Sequence, residues 1–77
     1  MGIIPMLKSR EIIRVLLKAG FKIIRQSGSH VRLIHGKNTQ RQTTVPIHNA
    51  DIPREILKEI LKQAKISIRD FLILLKK

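Results

Sequence analysis

The stretch Phe21-Lys22-Ile23-Ile24-Arg25-Gln26-Ser27-Gly28-Ser29-His30-Val31-Arg32-Leu33-Ile34-His35 decides the fold. Residues 21–26 alternate poorly but are rich in β-formers, and Ser27-Gly28 interrupts them before a second β-like run over residues 29–35. Two such runs joined by a tight polar turn read as a hairpin. On the C-terminal side, Gly36-Lys37-Asn38-Thr39 forms a second turn. Residues 41–47, with Thr43, Thr44 and Val45, then make a third strand, which Pro46 should end or place at a sheet edge.

The flanking segments switch to helical spacing. Upstream, Ser9 is placed to cap a helix over residues 9–19, with Ile12, Ile13, Leu16 and Leu17 on its apolar side and Gly20 as its stop. Downstream, Asp51 can cap a second helix, Pro53 suits its first turn, and Ile52, Ile56, Leu57, Ile60, Leu61 and Ala64 fall on one face. Ser67-Ile68-Arg69-Asp70 resembles a capping box opening a short C-terminal helix, with Ile68, Phe71, Leu72 and Leu75 as its stripe. The expected order is α-β-β-β-α plus a short helix. Strands grouped together and flanked by helices argue for an α+β sandwich, with a three-stranded antiparallel sheet carrying both main helices on one face.

The chain has 77 residues, enough for one domain over residues 1–77, because chains of this size bury only ~60% of the surface exposed when unfolded. A deep substrate cavity is not expected, so chemistry must sit on an open surface. Lys and Arg number 16 against 5 acidic residues, a formal charge of +11, which points to a polyanion or an acidic protein as partner. The basic residues are spread along the chain rather than gathered in a tail, so they belong to the folded surface. The absence of cysteine excludes a disulfide framework and a zinc knuckle, and fits a reducing cytoplasm. No stretch approaches the ~20 apolar residues of a membrane span. Met1-Gly2-Ile3-Ile4-Pro5-Met6 lacks the charged start of a signal peptide and reads as a short leader strand, or as an extension upstream of a start at Met6.

Most enzyme constellations are missing: there is no glycine-rich phosphate loop, no His-Glu-x-x-His and no cysteine nucleophile. Glu11, Asp51, Glu55 and Glu59 lie in or at the start of amphipathic helices, where capping or pairing with a base is their ordinary work. That disfavours a two-carboxylate metal nuclease. The spacing of His30, His35 and His48 matches no ligand motif, so no metal is expected. His35, at a strand end, reads as solvated, and His48, after Val45-Pro46-Ile47, as structural. His30 differs because of its neighbours. If Ser27-Gly28 is the loop, Arg25 lies opposite His30, and the two-residue period puts Arg32 on the same face. An imidazole can take or give a proton while fixed cations hold a phosphate, although a surface histidine beside a nucleic-acid-binding arginine pair fits the same facts.

Gly20-Phe21-Lys22-Ile23-Ile24-Arg25-Gln26-Ser27-Gly28-Ser29-His30 resembles the signature of the HicA toxins: glycine-phenylalanine, a few residues, arginine-glutamine, one residue, then glycine-serine-histidine. Val45-Pro46-Ile47-His48 is similar to that family's valine-proline-x-histidine segment. Ile60-Leu61-Lys62-Gln63-Ala64-Lys65-Ile66-Ser67 resembles its isoleucine-leucine-x-glutamine-alanine-x-isoleucine-serine, followed by Phe71-Leu72. The resemblance implies a double-stranded-RNA-binding-domain-like fold, cleavage of messenger RNA without need of the ribosome, and a HicB-type antitoxin encoded alongside. It places the catalytic histidine at His30 and the adjoining Gly-Ser at Gly28 and Ser29. The chain departs from many relatives at Pro53-Arg54, where they carry glycine-threonine.

What the resemblance and the residues imply together is a cofactor-free transesterification within RNA. His30 would accept the proton of a ribose 2′-hydroxyl while Arg25, Arg32 or Lys22 stabilise the crowded phosphate. The group that protonates the leaving 5′-oxygen is open between His30, Lys22 and water. Two rivals share the charge and topology. One is a non-catalytic RNA-binding module; the other is a protein-interaction domain with a basic face, which would neither bind nor break RNA.

Overall fold

The computed structural model describes residues 4–47 and 49–77. Its elements run α1 (Ser9–Lys18), β1 (Phe21–Ser27), β2 (His30–His35), β3 (Gln42–Pro46), α2 (Arg54–Ala64) and α3 (Ile68–Leu75). The antiparallel sheet has the order β1-β2-β3, so Pro46 lies at the end of an edge strand, where its missing N–H breaks no ladder.

The helices cover one face of the sheet. Val31, Leu33 and Val45 point into a core shared with Ile12, Val15 and Leu16 of α1, Leu57, Ile60, Leu61 and Ala64 of α2, and Phe71 of α3. The stripes expected on the helices are largely those that are buried; Leu17, Ile56 and Ile68 are the members left exposed. Thr43, the polar member of the inner face, is only 3% exposed; its Oγ lies 3.2 Å from the Ile60 carbonyl, as a buried hydroxyl requires.

Two helix starts differ from expectation. Lys8, not Ser9, is the N-cap of α1, and the Lys8 N–H donates to Glu11 Oε1 at 3.1 Å. Ser9 is drawn inward instead, its hydroxyl donating to the Pro46 carbonyl at 2.6 Å and tying the helix to the end of β3. At α2 the N-cap is Pro53 with no side-chain cap, because Asp51 is engaged by Lys8 at 3.5 Å and Ile52 is held by its N–H to the Leu7 carbonyl. Of the expected leader strand, residues 4–6 form no strand although Ile4 is buried, and residues 1–3 lie outside the described residues; a single bridge follows it, Leu7 with Ile52. Arg54 donates from Nε to the Ile4 carbonyl at 2.7 Å, so the Pro53-Arg54 departure anchors the segment. Ser67 does cap α3, accepting from the Asp70 N–H at 3.0 Å.

Candidate active site

β1 and β2 meet through a two-residue turn, but its residues are Gly28 and Ser29 rather than Ser27 and Gly28, since Ser27 pairs with His30. Gly28 has φ +56 and Ser29 a negative φ, the sign pattern of a type II′ turn, which follows the twist of the flanking strands and requires glycine at its first position. The register therefore sets Arg25 opposite Arg32, not opposite His30. A bulge between Ile23 and Arg25 explains the poor alternation of β1. The extra residue lets Phe21 enter the core while Arg25 and Ser27 face the other way.

The face of the sheet away from the helices carries His30, Arg32 and Ile34 from β2, since the alternating Val31 and Leu33 are buried. Their cross-strand partners bring Lys22, Arg25 and Ser27 from β1 and Gln42, Thr44 and Pro46 from β3. Alternate residues on a strand lie about 7 Å apart. Hence His30, Arg25, Arg32 and Lys22 share one open surface that contains no carboxylate. His30 is exposed. Its backbone is fixed on both sides, by Ser27 across β1 and Pro46 across β3. Just before it, the Ser29 carbonyl accepts the Ile47 N–H at 2.6 Å. Arg32 is oriented by Gln42, whose Oε1 accepts from Nη2 at 2.5 Å while its own amide donates to the Thr39 carbonyl at 2.8 Å.

His35 is half-buried and partnered rather than freely solvated. Its ring meets Phe21 edge-on at 5.2 Å, and Nδ1 accepts the N–H groups of Lys37 and Asn38 at 3.1 and 3.2 Å, closing the turn after β2. Strand-end position alone could not reveal that partner. His48 lies outside the described residues. Among the described residues no three His, Asp or Glu side chains converge as metal ligands would, and no helix is long and apolar enough to cross a membrane. Gln42 is the site residue that sequence reasoning missed; the signal was its two-residue spacing from Thr44 on a strand whose inner positions are Thr43 and Val45.

The family model described as "HicA toxin of bacterial toxin-antitoxin" matches residues 9–66, most of the chain. The chain belongs to the HicA toxin family. No curated protein matches it. As a HicA toxin it is one half of a toxin-antitoxin system and has an antitoxin for partner. The three HicA-like motifs now have structural meanings. Gly20, at φ +98, turns the chain from α1 into β1 with the His35 ring packed against it; Phe21 fills the core, and Gly28-Ser29 present His30. In the second motif Val45 is buried and Pro46 pairs with His30. In the third, Ile60, Leu61, Ala64 and Ile66 are core, Ser67 caps α3, and Gln63 reaches the Thr43 hydroxyl at 3.0 Å.

Proposed function

We propose that this HicA toxin is a metal-independent endoribonuclease that cleaves messenger RNA in the cytoplasm, with His30 as its proton-transfer group. The observation that carries the reading is the clustering of exposed His30 with Lys22, Arg25 and Arg32 on the helix-free face of the sheet. His30 accepts the 2′-hydroxyl proton; the 2′-oxygen attacks phosphorus, the bond to the 5′-oxygen breaks, and a 2′,3′-cyclic phosphate and a 5′-hydroxyl result. The departing oxygen takes its proton from the imidazolium so formed, from Lys22 or from solvent. Arg25, Arg32 and Lys22 hold the phosphate, and the turn at Gly28 and Ser29 lets the backbone approach it. One base contributes ~10²–10⁴-fold, enough for an enzyme whose substrate is abundant. Metal independence is supported by the other duties of the carboxylates: Glu11 accepts from the α1 cap and Asp51 pairs with Lys8.

The test is cleavage of end-labelled RNA in excess chelator by the wild-type protein and by His30→Ala. Wild type should cut, leaving cyclic-phosphate ends, and the variant should bind but not cut. Cleavage restored to a chelated sample only by added metal would overturn the mechanism. Binding without cleavage by either protein would favour the non-catalytic RNA-binding module.

The antitoxin, read as HicB-type, is placed over the same face, because an open site acting on the cell's own RNA needs a cover and the +11 charge favours an acidic one. Adding antitoxin to RNA-bound His30→Ala should displace the RNA. A stable ternary complex would put the antitoxin elsewhere.

A further inference from the structure

Beside the cluster, at the β3 edge, a notch of about 200 Å³ is lined by Arg32, Gln42, Thr43, Thr44 and Gln63. We propose that this notch is a nucleobase-reading subsite, in which Gln63 and Thr44 recognise the edge of one unstacked base next to the cleaved phosphodiester. The inference rests on the cleavage reading above and adds a selectivity that the phosphate-binding residues cannot supply, since phosphate contacts carry no sequence information.

The size and chemistry of the notch both suit a base. It is smaller than the ~300–1,000 Å³ of sites for drug-sized ligands and matches one planar heterocycle better than a whole nucleotide. Its lining residues are two glutamines, two threonines and one arginine, with no carboxylate to attract a cation. An isolated phosphate would want more than one positive charge, whereas amides and hydroxyls pair with the mixed donors and acceptors of a base edge.

The walls are held before any ligand arrives. The buried Thr43 hydroxyl lies between the Ile60 carbonyl at 3.2 Å and the Gln63 side-chain amide at 3.0 Å, which fixes one end of that amide in the wall of the notch. Gln42 is fixed between the Thr39 carbonyl and Arg32. Because the hydrogen bond to Gln42 lies in the guanidinium plane, the faces of Arg32 remain for a base to stack on. Thr44 stands directly across from Arg32 on the open face, and both line the notch. Arg32 thus borders both the reacting phosphate and the notch, so an entering base would belong to a nucleotide flanking the scissile bond. Gln63 stands in the third HicA-like motif, to which the cleavage chemistry assigns no task.

The experiment maps fragment ends from a randomised RNA pool for wild type, Gln63→Ala and Thr44→Val, with thermal melts alongside. Wild type should prefer one base beside the cut by ~10-fold or more, the discrimination of one well-formed base contact. Each variant should reduce that preference to within ~2-fold while cutting the pool at nearly the wild-type rate. A second arm measures affinities of His30→Ala, with and without Gln63→Ala, for short RNAs differing only in that base; the added change should equalise them. No preference in wild type, or a preference untouched in both variants, would overturn the subsite. A Gln63→Ala protein that melts early but keeps its preference would make Gln63 a structural partner of Thr43. If His30→Ala cuts at the wild-type rate, the cleavage reading fails, and the affinity arm alone judges the notch.

Discussion

The two faces of the sheet are built from the same strands yet bear opposite loads. On β2, Val31 and Leu33 point under the helices and His30 and Arg32 point away from them. On β3, Thr43 and Val45 are buried while Gln42 and Thr44 stand on the open face. Neighbouring residues thus divide the core from the proposed site. A cationic face this dense costs folding free energy through self-repulsion, and the apolar inner face offsets it. Substitutions one residue apart should therefore fail in different ways.

The largest effects should come from the sharpest pair. His30→Ala should lower the cleavage rate by ~10²–10⁴-fold with an unchanged melting temperature. Leu33→Ala, at a fully buried position, should cost ~2–5 kcal/mol of stability, read by urea denaturation. If Leu33→Ala left stability intact, or His30→Ala lowered it comparably, the division between faces would break.

Next come the guanidiniums. Arg25→Ala and Arg32→Ala should each lower turnover by ~10–100-fold, less than an enclosed transition-state donor contributes because this face is open to water. RNA affinity measured by filter binding should fall less than turnover. Equal losses would reduce both residues to backbone contacts.

A smaller effect sharpens the boundary between the faces. Thr43→Val keeps the shape but removes the hydroxyl shared with Ile60 and Gln63, and should cost ~1–2 kcal/mol in a denaturant melt. A neutral result would mean that the inner face is held by apolar packing alone.

The smallest effect is electrostatic. Binding of single-stranded RNA should weaken with salt, and Lys22→Ala should flatten the log–log slope by roughly 0.7 if Lys22 meets one phosphate. An unchanged slope would move Lys22 out of the RNA path.

The sequence by itself determined the helices, the three strands and the sharing of one face by His30, Arg25 and Arg32, because these follow from local periodicity and turn chemistry. Even the misplaced hairpin turn left the face right. Setting Arg25 opposite Arg32 instead of His30 moves its partner by two residues, and a strand repeats its facing every two. Only the tertiary structure decided the rest. The bulge that places Phe21 inside and Arg25 outside, the Lys8–Asp51 contact that moved the start of α2, the ring partner of His35 and the Gln42 brace on Arg32 all join residues distant in sequence or out of phase with it. Such choices are set by which buried polar groups must find partners and which side chains fill the core. That competition is settled across the whole fold, and no window of sequence contains it.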